Sequence, residues 1–268
     1  RDALVEQLFG AMLGQRMQEL TQQASPPFVG GGSGASMLVP GYRSFNSSAL
    51  LGRMGAGPAA DALVQESERA RQFGFSAAEL ERSKKNLLRG VEQGHAERDK
   101  TDSARYASEY LRNFLEQETI PGIANELVYA RELLPGIALA DVNRFAQSII
   151  PEKSAKLVVY MGSDKADSNT PTEAQLLASV SQSEQRAVTA RDEKTVATTL
   201  MARLPAGGTI VAERHNPALG LTELDLSNGI KVILKPTDFK ADEITMGANR
   251  FGGQSLFGQA DMFNAGYA

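Results

Sequence analysis

The chain has 268 residues, 42% of them hydrophobic and 22% charged, with a formal net charge of −4 and no cysteine. That is enough apolar chain for one full domain with a sizeable core and a further piece, and the missing thiols exclude a disulfide framework, a thiolate metal site and a thiol nucleophile. The acidic balance, with no basic stripe, argues against a nucleic-acid partner; no apolar run approaches the about 20 residues a membrane span needs, and no signal peptide opens the chain, which carries no weight if the natural N-terminus lies upstream.

The elements follow in chain order. Residues 3–22 are predicted as a helix, with Leu4, Leu8, Met12, Leu13 and Leu20 near one face at a spacing close to 3.6. From Phe28 to Leu51 the glycine- and serine-rich chain is poor for helix and suits two strands joined around Pro40-Gly41. Pro58 opens a helical stretch to about Phe73, and the capping box Ser76-x-x-Glu79 starts the next helix, running to about Asp99. Ala107, Tyr110, Leu111, Phe114 and Leu115 place an apolar stripe on a third helix, and two more follow over Ile123–Leu134 and Leu139–Ile150. The run Lys156–Met161 (KLVVYM) reads as a short strand, central in the sheet. Thr170-Pro171-Thr172-Glu173 starts another helix, with Pro171 in its first position and Glu173 as the capping-box acid.

Between Arg191 and Gly220 periodicity is lost while Pro205, Gly207, Gly208, Pro217 and Gly220 accumulate, the composition of a linker. Beyond it, Asn228-Gly229 sits between two alternating apolar runs, Leu224/Leu226 and Ile230/Val232/Leu234, which is a hairpin signal. The chain stops at Ala268, too soon after that opening to complete a domain of ordinary size. The expected plan is a domain over residues 1–190, a linker over 191–220 and the truncated start of a further domain over 221–268. The expected fold class is α+β, a mostly antiparallel sheet covered on one face by a layer of helices.

Four strings carry a family resemblance: LFGAMLGQRMQEL (Leu8–Leu20), ESERARQFGFSAAELERSKKNLL (Glu66–Leu88), AERDKTDSARYASEYLRNFLEQETIPGIANE (Ala96–Glu126) and LSNGIKVILKPTDFKADEI (Leu226–Ile244). Together they resemble the M16 peptidases, the pitrilysin and insulinase type of zinc metalloprotease. The likeness covers most of the chain. It implies the non-metal-binding second domain, and the beginning of the third, of a long periplasmic or cell-envelope member from a Gram-negative bacterium. The implied partners are the remaining domains of the same polypeptide and a peptide substrate.

That family's catalytic signature is His-x-x-Glu-His on a helix, where two histidines on one face bind zinc and the glutamate activates the metal-bound water. The signature is absent, since the only histidines are His95, followed by Ala-Glu-Arg-Asp, and His215. Neither completes a zinc site; His95 reads as a residue bordering the core and His215 as part of the linker. Two-domain relatives also offer substrate an arginine and a tyrosine in an Arg-Gly-x-x-Tyr stretch after the first helix, yet Gln18–Phe28 (QELTQQASPPF) has neither. No catalytic, metal-binding or cofactor-binding residue is therefore assigned, and no substrate-binding residue is identified. Zinc is implied for the parent protein by resemblance alone.

Other candidates reduce to structure. Gly30, Gly31, Gly32 and Gly34 lack the Lys-Ser or Lys-Thr of a phosphate loop and read as a glycine-rich strand. Glu66/Glu68 and Glu79/Glu81 alternate with Arg69, Arg71, Arg82, Lys84 and Lys85 on predicted helices, the pattern of a solvated face with ion pairs. No local signature surrounds any serine as a triad nucleophile. Two functions fit these residues: an inactive-type domain of a zinc metalloendopeptidase that degrades peptides or unfolded proteins in a closed chamber, or a domain of a catalytically dead relative serving as a binding or scaffold protein.

Overall fold

Helix α1 (Asp2–Thr21) is the axis of the molecule's larger unit, in a computed structural model that describes residues 1–39, 41–152, 156–163, 170–192, 199, 201–240 and 243–266. Its buried Val5, Leu8, Phe9, Met12, Leu13 and Met17 lie three, one or four residues apart, so they form one stripe along the helix. Against that stripe pack Phe28, Leu63, Phe75, Leu80, Ile137, Val142 and Ala146. Burying each large apolar side chain contributes roughly 1.5–3 kcal/mol, so this stripe is where the unit's stability concentrates. Phe9 sets its edge against Phe75 and Phe145, with ring centroids 6.1 and 5.2 Å away.

Two units are present, Arg1–Leu204 and Pro205–Ala268. In the first, strands β1 (Gly30–Val39) and β2 (Tyr42–Leu50) form an antiparallel hairpin with Ala35 opposite Phe45 and Gly31 opposite Ala49. The period of two turns Phe45 and Ala49 onto the core beside α1. Gly31 is needed for close approach, because a Cβ there would stand 2.6 Å from the Ser48 carbonyl oxygen. Gly41 turns the hairpin with φ +84°; Pro40, its expected companion, lies outside the described residues.

The helices follow as α2 (Ala56–Phe73), α3 (Ala77–Ala96), α4 (Ser103–Glu116), α5 (Ile123–Leu133), α6 (Leu139–Ile149) and α7 (Glu173–Gln185). Pro58 is the third residue of α2 rather than its first. Ser76 and Glu79 form the expected capping box, with Glu79 N–H donating to Ser76 Oγ at 3.2 Å and Ser76 N–H to Glu79 Oε2 at 2.8 Å. At α7 the cap is Thr172, so Pro171 stays outside the helix and the reciprocal partner is Gln175, not Glu173: the box needs the residue three beyond the cap.

Two expectations change. Residues 156–161, read as a central strand, pair with no strand, and Leu157, Val159 and Met161 stand open to solvent. A strand exists only through a ladder partner, and none of the described residues supplies one. Helix α4 forms as expected but buries none of its residues, so its apolar stripe also faces out. The fold class is α+β, with antiparallel strands and, in the larger unit, helices on one face of the hairpin.

The second unit is a meander of β3 (Ile210–Asn216), β4 (Leu221–Leu226) and β5 (Lys231–Leu234) in the order β3-β4-β5. Asn228-Gly229 turns β4 into β5 with Gly229 at φ +83°, pairing Leu224 with Val232. Strand β3 lies within the stretch 191–220 read as linker, so the chain is already paired before Gly220. A single helical turn, α8 (Met262–Ala265), comes last.

Candidate functional site: a closed arginine–carboxylate cluster

The most deeply placed charged group is Arg16, which occupies the core-facing stripe of α1 between Leu13 and Met17 and is only 3% exposed. A guanidinium in that position must have its donors satisfied. It does so against the α2–α3 junction: Nε donates to Glu79 Oε1 at 2.6 Å, Nη2 to Glu79 Oε2 at 2.8 Å and to the Gly74 carbonyl at 3.0 Å, and Nη1 to Glu66 Oε1 at 3.4 Å. The guanidinium carbon also lies 4.5 Å from the centre of the Phe75 ring. Arg69 takes the second oxygen of Glu66 and donates Nε to the Thr189 carbonyl at 2.9 Å. Two guanidinium groups thus face two carboxylates, and the cluster is neutral.

The loop that supplies Gly74 is itself fixed. Gly74 has φ +70°, and a Cβ there would come within 2.4 Å of the Asn143 side chain, so only glycine fits. Asn143 Oδ1 accepts from the Phe75 N–H at 2.8 Å, joining α6 to the same loop.

Electrostatics shut this cluster to acid–base work. Burial works against the charge of Glu79, but the hydrogen bonds from Arg16 and the Ser76 N–H, with the charges of Arg16 and Arg191, outweigh it and hold the carboxyl below its usual range. A carboxylate held ionised with its oxygens already accepting has no lone pair directed at a substrate proton. The arrangement clamps helices; it does not poise a base.

The charged residues singled out from sequence part company here. Glu68 and Glu81 keep the surface reading, paired three residues on with Arg71 at 2.8 Å and Lys84 at 3.4 Å. Glu66 and Glu79 do not: both turn inward to Arg16, which overturns their reading as a solvated face. Arg16 escaped sequence reasoning, although its register with Leu8, Met12 and Leu13 was the signal, since a charged residue on a core-facing stripe needs a buried counter-charge. Glu66 stands in the same way on the α2 stripe of Ala59, Leu63 and Ala70.

The glycines Gly30, Gly31, Gly32 and Gly34 lie in β1, as the strand reading expects. His95 is half-buried near the end of α3, two turns beyond the packed Leu87 and Leu88. His215 is a strand residue of β3 rather than a linker residue, with Nδ1 3.1 Å from Thr222 Oγ1 and Nε2 3.3 Å from a Glu213 carboxylate oxygen. The two histidines stand in different units, and among the described residues neither has a second histidine beside it to begin a zinc donor set. Among the described residues no group of three or more His, Cys, Asp or Glu could hold a metal ion. An open cleft of about 530 Å³ lies between α2 and α7, lined by Glu68, Arg71, Glu152, Lys156, Ser181 and Glu184. Its charges are of both signs and paired with one another, Arg71 with Glu68 at 2.8 Å and Glu152 at 3.8 Å and Lys156 with Glu184, so no cation or carboxylate there stands ready for a ligand.

These features define an α+β protein whose polar interior is structural. Its particular fold is that of the insulinase-type proteases. The chain superimposes on the periplasmic protease PqqL from Escherichia coli with a TM-score of 0.55 at 21% identity, covering 88% of this chain and 26% of that one. A predicted insulinase-family protease from Yersinia pestis gives a TM-score of 0.55 at 15% identity, over 68% of this chain and 39% of that one. In sequence, a zinc protease PqqL-like protein of Arabidopsis thaliana is 28% identical over 262 residues, 97% of this chain. The chain spans 24% of that relative's length. No family model matches the chain. The M16 resemblance thus rests on both sequence and fold.

Proposed function

We propose that this chain is the non-metal-binding part of a zinc-dependent metalloendopeptidase that acts on peptides or unfolded proteins, in the periplasm or cell envelope of a Gram-negative bacterium. The observation that carries the reading is the 28% identity to a zinc protease PqqL-like protein across 97% of this chain, supported by the PqqL-like fold. Residues 1–190 form an inactive-type domain, 221–268 open a further domain, and 191–220 join them, with β3 belonging to the further domain. The rest of the polypeptide supplies zinc, its ligands and the general base, while this part helps to wall a closed chamber around the substrate. Zinc needs three protein ligands and an open position to lower the pKa of its water, and a neighbouring carboxylate to take the proton. His95 and His215 cannot furnish that set; the work of this chain is to hold shape, with Arg16 fixing α1 against the α2–α3 junction.

Two measurements test the reading. The isolated chain is expected to hold no stoichiometric zinc after dialysis and to leave casein or insulin B chain uncut; one tightly bound zinc, or chelator-sensitive cleavage, refutes the division of labour. In the full-length protein a His-x-x-Glu-His motif is expected outside this stretch, and changing its glutamate to glutamine should abolish cleavage while zinc stays bound. A full-length protein without the motif would leave a binding or scaffold role instead.

A further inference from the structure

Asn228 is the only asparagine of the chain that precedes a glycine. It stands in the loop between β4 and β5, where Leu226 N–H donates to the Ile230 carbonyl and Gly229 N–H to the Leu226 carbonyl, both at 2.9 Å. Those bonds enclose Ser227, Asn228 and Gly229, and of the three Gly229 alone has a positive φ. The loop is therefore a type I turn closed by a glycine bulge, with Asn228 at the third position of the turn. All three residues are exposed.

An asparagine before glycine carries an electrophile and a nucleophile within reach of each other. The Asn228 amide carbon Cγ and the Gly229 main-chain nitrogen close a five-membered ring when they meet, and glycine has no side chain to hinder the approach. In the closed turn they are held apart. Gly229 N–H is committed to Leu226, Asn228 Oδ1 accepts from Ile230 N–H at 3.2 Å, and the type I backbone turns the glycine nitrogen away from Asn228 Cβ. The residue facing the amide is Gly208, where a Cβ would stand 2.9 Å from Cγ, so no side chain at 208 seals the reacting carbon. The lock is the turn itself. It is a weak one, because the described residues of this unit bury nothing and opening the turn breaks no core.

We propose that Asn228-Gly229 is a self-modification site, at which each opening of the turn exposes the chain to conversion into isoaspartate and so to loss of the β4–β5 pair. The Gly229 nitrogen, its proton given to solvent, attacks Asn228 Cγ; the new N–Cγ bond forms, the Cγ–Nδ2 bond breaks, and Nδ2 leaves as ammonia. Water then opens the cyclic imide. Attack at Cγ gives aspartate and restores the backbone; attack at the main-chain carbonyl carbon gives isoaspartate, whose backbone runs through Cβ and Cγ. Water enters, ammonia departs, and nothing is oxidised. Aspartate suits the same turn. Isoaspartate adds an atom to the backbone of a three-residue loop, so the Gly229 N–H can no longer reach Leu226 with β4 and β5 in register.

The 268-residue chain, aged in mildly alkaline buffer and mapped by mass spectrometry, is expected to convert first at Asn228, with isoaspartate detected by isoaspartyl methyltransferase labelling. In urea the same conversion should run several-fold faster, since the turn no longer protects it. Val232, paired with Leu224, lies away from the reacting atoms; Val232→Gly should raise the folded rate about fivefold, the factor that corresponds to about 1 kcal/mol of strand propensity. Gly229→Ala separates opening from chemistry. A side chain at φ +83° strains the turn open, yet its methyl group hinders ring closure, and conversion should all but stop. Amide exchange over Lys231–Leu234 should accelerate in the isoaspartate fraction and stay at the parent rate in Asn228→Asp. The proposal is overturned if Asn228 converts no sooner than the other asparagines, if its rate ignores urea and Val232→Gly, if Gly229→Ala converts as fast as the parent, or if the isoaspartate chain keeps its β5 protection.

Discussion

The two units use strands in opposite ways. In Arg1–Leu204 the β1–β2 hairpin is backed by α1 and shares a continuous core reaching from Val5 to Ile150. In Pro205–Ala268 none of the described residues is buried, and the three-stranded meander rests on its ladder, its Asn-Gly turn and cross-strand pairs such as Arg214–Asp225 at 2.8 Å. Turn chemistry suffices to set a register, but independent stability needs an apolar face pressed against something. The first unit should therefore carry the chain's cooperative unfolding, and the second should behave as a preformed but weak sheet.

The harshest test removes Arg16. Arg16→Met leaves the inward-facing Glu79 without its guanidinium partner and Glu66 with Arg69 alone, and should cost about 3–5 kcal/mol, read from urea unfolding by circular dichroism. Amide exchange in β3–β5 should be untouched, since no member of the cluster lies in that unit. A variant as stable as the parent would show that the cluster does not hold α1 in place.

Next comes a matched pair of apolar truncations. Leu13→Ala, in the core, should cost about 2–5 kcal/mol, while Ile233→Ala, 65% exposed in β5, should stay within about 0.5 kcal/mol. Equal losses would abolish the contrast between the units. In the meander, Gly229→Ala forces a side chain to φ +83° and should cost about 1–2 kcal/mol. Faster exchange confined to β4 and β5 is the expected result; a global loss would mean that the sheet is coupled to the core.

The finest effect is electrostatic. Glu79, whose carboxyl is held low, contributes stability that is complete above the usual glutamate range and is lost as the pH falls through its depressed pKa. Glu126 tilts the other way: burial, with the negative charges of Glu109 and Glu118, raises its pKa despite Arg105, so its cost appears as the pH rises through that raised value. Glu126→Gln should therefore be slightly more stable than the parent at neutral pH, with the difference closing in acid. Urea midpoints at a series of pH values check both signs.

Much of the fold was legible in the sequence wherever a local signal decides a local outcome. The stripe of α1, the capping box at Ser76 and the Asn228-Gly229 turn each depend on neighbours a few residues away, and each appears. What escaped depends on distant partners. Leu157–Met161 has the composition of a strand but, among the described residues, no ladder to join, and the stripe of α4 declares a face without declaring its cover. Arg16, Glu66 and Glu79 are far apart along the chain; only the fold reveals that they share one charge balance. The shift of the α7 cap to Thr172 is smaller in kind, a boundary displaced because two threonines precede the same helix.

The open run Leu157–Met161 also bears on how the molecule behaves in a crowd. It is apolar, β-prone, uncharged and free of proline, the composition from which stacked, interdigitated filaments grow. In a concentrated solution this short stretch is therefore expected to seed aggregation, on a clock separate from the unfolding of the core.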